Sequence, residues 1–380
     1  MNNIFLVGAT GSIGKSTLNV ISNLKDRFKL IGISAYSNLE GILKIYDEYK
    51  PKYVLLNDEE KAKILKQELK SKNSGLFSDI FPYALIDNDV DIIFFASRGV
   101  DDIKWIVETI KKERKIFIAN KESFVAAGDL IIKELRKRKL PIIPIDSEHS
   151  AIFQLLLGKY EEEVKRIILT ASGGPFFGYD EDRLKNVTIE DTLKHPTWSM
   201  GKKITIDSAT LFNKGMEVVE ANLLFDLPYD SIEVVIHRES IIHSMVEMKD
   251  GQIFALLYYP DMKYPIQYAL TFPEREKNDF ERLKFTENLS FYQFDQDKFL
   301  PYKIMVQSGK DGGTKPFTII YANDLLTDLF LNKKINFLEI GKNLQKVYDK
   351  IERREFSINL LEDIKKEVLD FIKSEVKHCI

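Results

Sequence analysis

Short apolar runs alternate with amphipathic stretches through the first 146 residues. The runs Ile4–Val7, Leu30–Ile33, Tyr53–Leu56, Ile92–Ala96, Ile116–Ala119 and Ile142–Ile145 are rich in β-branched or aromatic side chains, which predicts buried strands. Between several of them, Lys15–Leu24, Leu39–Tyr49 and Lys61–Leu69 carry apolar residues at helical spacing. Val125–Lys139 predicts a further helix whose basic end suits a helix C-terminus. Such alternation predicts βαβ units on a parallel sheet over residues 1–146. From 147 to 272 the pattern changes to strands at Val164–Thr170, Ser231–Ile236 and Gln252–Tyr259, separated by stretches rich in Gly and Pro, hence an α+β middle domain. The stretch from about 173 to 201 reads as a loop long enough to be functional. Residues 273–300 read as a charged linker. Leu, Ile and Phe at helical spacing over Phe337–Lys377 predict an α-helical C-terminal domain over 301–380.

Composition narrows the function more by exclusion than by suggestion. Against 55 Lys and Arg stand 58 Asp and Glu, a net charge of −3, which removes an overall electrostatic case for nucleic acid or an anionic membrane. No apolar run reaches the roughly 18–20 residues of a membrane span. The start, MNNIFLVGATG, lacks the basic region and long apolar core of a secretory signal, so a cytoplasmic protein is expected. The single cysteine, Cys379, allows no intrachain disulfide, thiolate zinc site or mid-chain cysteine nucleophile. Of five histidines, His149, His195, His237 and His243 fall in the middle third and point to where the chemistry lies.

Gly8-Ala-Thr-Gly11-Ser-Ile-Gly14 directly follows the first strand and opens a helix. Glycines there permit a tight turn, so that a helix N-terminus can present N–H groups to a pyrophosphate. This predicts a Rossmann-like dinucleotide-binding domain, with a ligand-free glycine turn as the bland alternative. Ala9-x-x-x-x-Gly14-Lys15-Ser16 also approaches a P-loop, but the best metal-binding acid for one, at the end of Ile142–Asp146, follows a run broken by proline. After the second strand no acid is present to bind the ribose of NAD, whereas Ser37 and Asn38 can bond a 2′-phosphate. The reading therefore leans to NADPH.

Asp146 and Glu148 follow the predicted strand Ile142–Ile145, and alternation along an extended chain aims both to one side as hard ligands for a divalent metal. A surface turn is the alternative. Glu217 offers a third carboxylate, and Ser172, Ser208, Asn213 and Lys214 offer anion donors. Asn120-Lys121-Glu122-Ser123 forms another polar cluster at a strand's carboxyl end, although Lys121 suits a structural ion pair equally. His195-Pro-Thr-Trp198-Ser-Met200 lies in the long loop, either as a lid over substrate or with Trp198 merely anchoring the loop.

Together these motifs, with Ala171-Ser-Gly-Gly-Pro175, Asp207-Ser-Ala-Thr and Gly312-Gly313-Thr314, resemble in order and spacing the 1-deoxy-D-xylulose 5-phosphate reductoisomerase family. The resemblance covers the whole chain. It implies an NADPH-dependent homodimer using Mg²⁺, Mn²⁺ or Co²⁺ in the non-mevalonate route to isoprenoids. The family rearranges a sugar phosphate by carbon–carbon cleavage and rejoining, then reduces the aldehyde to 2-C-methyl-D-erythritol 4-phosphate. By motif it implies metal ligands Asp146, Glu148 and Glu217. Lys121, Ser147 and Glu148 would stand at the reacting atoms. Ser172, Ser208, Asn213 and Lys214 would take the phosphate, and His195, Trp198 and Met200 would form the lid. Cofactor contacts would come from Thr10, Gly11, Ser12, Ile13, Ser37, Asn38, Asn120, Lys121, Glu122 and Gly201. The chain departs from the family at Tyr36-Ser37-Asn38, where many members have Gly-Lys/Arg-Asn. It also has His237-Arg-Glu-Ser240 for the common His-Pro-Gln-Ser, and Ile320 for the usual Asn. The aldehyde dehydrogenases with a similar glycine turn, which act through a thiohemiacetal, need a mid-chain cysteine that this chain lacks.

Overall fold

A six-stranded parallel sheet is built by β1 (Asn2–Val7), β2 (Phe28–Ala35), β3 (Tyr53–Leu56), β4 (Ser74–Leu76), β5 (Ile92–Phe95) and β6 (Lys115–Ile118), in the order β4-β3-β2-β1-β5-β6. Helices α1 (Ser12–Asn23), α2 (Leu39–Tyr49), α3 (Glu59–Leu69), α4 (Phe77–Ile86) and α5 (Ile103–Lys111) make the crossovers. Continuous apolar strands such as Ile92-Ile-Phe-Phe95, fully buried, are what a sheet covered on both faces requires. The strand order reverses at β1, and the glycine turn follows β1 at that carboxyl edge, where open α/β sheets bind ligands. The computed structural model describes residues 1–159, 161–194, 197–198, 201–285 and 288–376.

Downstream come α6 (Lys121–Ala126), α7 (Gly128–Arg138), α8 (Ser147–Leu156), β7 (Val164–Ala171), α9 (Glu181–Leu184), α10 (Ile189–Thr192), α11 (Lys202–Ala209) and α12 (Phe212–Phe225). A mixed sheet then completes with β8 (Ile232–Ile236), β9 (Ile242–Met248), β10 (Ile253–Leu257) and β11 (Tyr292–Gln293), ordered β10-β9-β7-β8-β11; α13 (Lys263–Thr271) lies between its last two strands in the chain. The chain finishes in α14 (Leu300–Asp311), α15 (Lys315–Leu331), α16 (Phe337–Lys350) and α17 (Leu361–Glu375). Ile167, Leu169, Ala171, Val218, Ala221, Val234 and Val246 fill the core beneath the mixed sheet. No helix among the described residues is long and apolar enough to cross a membrane.

Cα packing divides the chain into two units. The first comprises Met1–Asn120, Lys133–Ser147 and Asp261–Phe280, and the second Lys121–Ile132, Glu148–Pro260 and Glu281–Ile380. The expected boundaries at 146, 272 and 300 differ from these. Helix α13 belongs to the first unit, where it packs on α1 and Arg27 meets Glu274 and Glu276, and the C-terminal helices share a unit with the mixed sheet.

Four local expectations need correction. Residues 142–145 form no strand, because Pro141 and Pro144 lack the N–H a sheet ladder needs. The extended alternation argued for Asp146 and Glu148 therefore fails, since Glu148 sits in the first turn of α8. The linker carries strand β11, and α9 and α10 interrupt the loop at 173–201.

Candidate active site

In the first unit the turn after β1 is shaped by its glycines. Gly8 has φ of +82°, and a Cβ on it would meet the Ser97 nitrogen at 2.6 Å and the Ala96 oxygen at 2.7 Å. A Cβ on Gly14 would meet the Ala9 oxygen at 2.6 Å. Both positions therefore require glycine, which lets α1 begin tight against the strand ends. No side chain caps α1, whose first residue Ser12 and N-cap Gly11 are exposed, while Thr10 and Ile13 are half-buried. That leaves the amide end of a helix presented to solvent beside the sheet edge, which suits a pyrophosphate. Asn38 caps α2 instead of standing loose, its Oδ1 accepting from the Gly41 N–H at 2.9 Å, and Ser37 is half-buried beside it. Asn120 is turned inward and fully buried, and its Nδ2 donates to Ser97 Oγ at 3.2 Å and to Asp102 Oδ2 at 3.3 Å. Burial drives the Asp102 carboxyl up to about 7, against the pull of the Asn120 hydrogen bond.

In the second unit, acids and lysines interleave. Lys214 Nζ, buried on α12, donates to Glu148 Oε1 at 2.9 Å, to the Thr170 carbonyl at 2.6 Å and to Glu217 Oε2 one helical turn on. Glu217 Oε1 also accepts from Lys121 Nζ of α6 at 3.0 Å and from Asn213 Nδ2 at 2.6 Å. Burial alone would depress the Lys214 ammonium, but Glu148 and Glu217 outweigh it and hold it at about 12. Carboxylate oxygens of Glu148 and Glu217 come within 4.8 Å of one another. Two hard oxygen donors so close fit a divalent cation such as Mg²⁺ or Mn²⁺. Asp146 stands two residues before Glu148, and two residues span at most about 7 Å of backbone. Ser147, buried, opens α8. His149 on the same helix fixes the site from behind, its Nε2 2.9 Å from the Glu217 carbonyl and its Nδ1 3.6 Å from Glu220.

The phosphate candidates split. The segments that carry Ser172 and Ser208 approach one another at Gly174, which at φ of +66° lies so close to α11 that a Cβ would meet the Ser208 carbonyl at 2.7 Å. Lys214 and Asn213 instead sit on the carboxylates, as the bonds above show. Glu122 is buried, with its carboxylate 4.0 Å from Lys203 Nζ. Of the expected lid, Trp198 packs edge-on against His243 at 6.4 Å between ring centroids, and His243 in turn stacks on Tyr258 at 3.7 Å. An anchoring contact for Trp198 thus exists. His195 and Met200 lie outside the described residues, as does Cys379. Gly201 caps α11.

Residues 4–128 match the family model for 1-deoxy-D-xylulose 5-phosphate reductoisomerase, and 142–225 and 257–369 match two models of its C-terminal domains. A Clostridium tetani protein bearing that name is 45% identical over 362 residues, covering 93% of this chain and 94% of its own. The chain belongs to the 1-deoxy-D-xylulose 5-phosphate reductoisomerase family. A Clostridium botulinum reductoisomerase is 42% identical, covering 98% of both chains. Among solved structures, the Zymomonas mobilis reductoisomerase in complex with NADPH is 34% identical, covers 99% of each chain and gives a TM-score of 0.89. A reductoisomerase structure in complex with NADPH, fosmidomycin and magnesium is 31% identical, with a TM-score of 0.90 and coverage of 99% of this chain and 98% of the other.

One part of this reductoisomerase was not visible in its motifs. Lys203 Nζ lies 2.5 Å from Asp207 Oδ2, 2.7 Å from Asp324 Oδ1 and 4.0 Å from Glu122, and Asn323 Nδ2 donates to Asp207 Oδ1 at 2.8 Å. Burial raises the carboxyls of Glu122 and Asp207, and it would lower Lys203 but for the three acids around it. This hub ties α6 and α15 to α11, the helix bearing Ser208. The i,i+4 spacing of Lys203 and Asp207 was its only local signal.

Proposed function

We propose that this chain converts 1-deoxy-D-xylulose 5-phosphate to 2-C-methyl-D-erythritol 4-phosphate, with a divalent metal at Asp146, Glu148 and Glu217 and NADPH at the glycine turn. The observation that carries the reading is the pair of carboxylates, Glu148 and Glu217, drawn together around buried lysine. A metal bound there would act as a Lewis acid, polarising the ketone and hydroxyl oxygens during cleavage and rejoining of the carbon skeleton. NADPH would supply the hydride that reduces the resulting aldehyde.

The chain's own groups do the rest. Lys121, Lys214 and Asn213 all bond Glu217 and fix its rotamer, so the ligand is preorganised. Ser172 and Ser208, on segments that approach one another at Gly174, take the substrate phosphate. That remote binding energy orients the reacting carbons. Lys121 and Ser147 stand at the reacting oxygens, and Trp198 limits access of water to the aldehyde. At the glycine turn, the uncapped start of α1 takes the pyrophosphate, with Thr10 to Ile13 along it and Ser37 and Asn38 at the 2′-phosphate.

The same reading places the enzyme in the cytoplasm as a homodimer. The lone cysteine supports the compartment, and the edge strand β10, with Ile253 and Phe254 exposed, supports a second copy covering it.

The test is NADPH oxidation followed by absorbance with the deoxyxylulose phosphate, with and without Mg²⁺ or Mn²⁺, and again with NADH. Turnover should require the metal and favour NADPH. Glu217→Gln should lower turnover on the order of a hundredfold or more while NADPH binding survives. Unchanged turnover in that variant would remove Glu217 from the metal site.

A further inference from the structure

The turn between β8 and β9 carries Arg238 and Glu239. The Arg238 guanidinium reaches a neighbouring loop: its Nη1 donates to the Ser172 carbonyl at 2.9 Å and to the Gly174 carbonyl at 2.8 Å. The guanidinium carbon lies 5.2 Å from the centre of the Phe177 ring, and the Arg238 carbonyl accepts from Thr197 Oγ1 at 3.2 Å. One residue therefore touches the loop after β7 at two carbonyls and one ring, and touches the neighbour of Trp198 as well.

The turn itself is fixed from below. His237 Nε2 accepts the N–H groups of Ile241 and Ile242 at 3.2 and 3.1 Å, which makes Nδ1 the protonated nitrogen that donates to the Ser290 carbonyl at 2.9 Å. Glu239 accepts from the N–H and Oγ of Ser290 at 3.3 and 2.5 Å. What Arg238 grips, by contrast, is intrinsically loose. Gly173 and Gly174 have φ of +77° and +66°, a backbone that glycine reaches and leaves easily. In a planar trans peptide the C=O and the following N–H point oppositely. Holding the Ser172 carbonyl on the guanidinium thus aims the Gly173 N–H away from it.

We propose that Arg238 is a positioning residue for the substrate phosphate, clamping the Ser172–Gly174 backbone so that Ser172 and the Gly173 amide keep an anion-binding arrangement. It also sets a permanent positive charge beside that arrangement. The inference rests on the reading of Ser172 as a phosphate ligand.

The experiment uses the full-length enzyme with NADPH, Mg²⁺ and the deoxyxylulose phosphate, with inorganic phosphate as a competing probe. Arg238→Gln should raise KM for the sugar phosphate about tenfold, the loss expected of one charge-assisted contact. It should weaken inhibition by inorganic phosphate by the same factor, with kcat, KM for NADPH and the Mg²⁺ requirement unchanged. Arg238→Lys should recover part of the loss, because an ammonium keeps the charge but not the fork that reaches two carbonyls. If Arg238→Gln does not fold, Arg238→Lys alone decides, through an intermediate rise in KM and in the phosphate inhibition constant. Ser172→Ala, run beside them, separates the two ideas. If it raises KM while neither Arg238 variant does, or if Arg238→Gln lowers kcat alone, the clamp is overturned. If Ser172→Ala leaves both KM and phosphate inhibition unaltered, the phosphate reading falls and the clamp with it.

Discussion

Glu217 accepts from three side chains at once, and one of them, Lys214, also reaches Glu148. Lys214→Met would leave buried Glu217 and half-buried Glu148 facing each other, and a buried pair that loses one partner costs up to about 3–5 kcal/mol. Thermal denaturation in chelator should therefore show a large fall in Tm. Added Mg²⁺ should restore much of it, since a ligand that binds the folded state stabilises it by mass action. No recovery with Mg²⁺ would mean that the two acids do not share a cation. Asp102 gives a prediction of a different sign from ordinary carboxylates. Its folded value, about 7, lies above its value in an unfolded chain, so between roughly pH 4 and 7 the folded state holds the extra proton. Stability should fall as pH rises through that window, by a few kcal/mol at most, and level off above it. Asp102→Asn should flatten the slope in urea unfolding curves taken at successive pH values.

The elements most legible in the sequence were those whose signals are local. Helix α2 spans Leu39–Tyr49 as expected because Asn38 caps it and its apolar residues keep helical spacing. The glycine turn was legible for a similar reason: its constraint acts within a few residues. Gly8→Ala tests that constraint, since it adds a Cβ against the Ala96–Ser97 backbone at a left-handed φ. It should cost at least about 1–2 kcal/mol in denaturant unfolding and weaken NADPH in a fluorescence titration. Where prolines and burial override pattern, reading failed. The apolar run at 142–145 looked like a strand until the missing donors at Pro141 and Pro144 are counted, and α4, buried through Phe77, Phe81, Ala84 and Leu85, has too little polar face to show a helical period. The pair Asp146 and Glu148 was argued from the wrong geometry, a strand instead of the start of α8. The Lys203 hub left only the local Lys203–Asp207 spacing to read, because its other partners are distant in sequence, as the Asn323–Asp207 bond across 116 positions illustrates.

At the scale of the molecule, the edge strand β10 is the feature that asks for a partner: Ile253 is 53% exposed and Phe254 39%, on a strand paired along one side. If the proposed homodimer packs through β10, Phe254→Lys should shift sedimentation velocity profiles toward monomer, and an unchanged profile would remove β10 from the interface. The chain also passes between its two packing units at 120/121, 132/133, 147/148, 260/261 and 280/281. A fragment ending at Ser147 would consequently lack α13, the helix that packs on α1 and brings Glu274 and Glu276 to Arg27. The nucleotide-binding half is thus no detachable cassette. A chimera that exchanged it between relatives at a single splice point would graft a sheet missing one of its own covering helices, so recombination in this enzyme has to respect five seams at once.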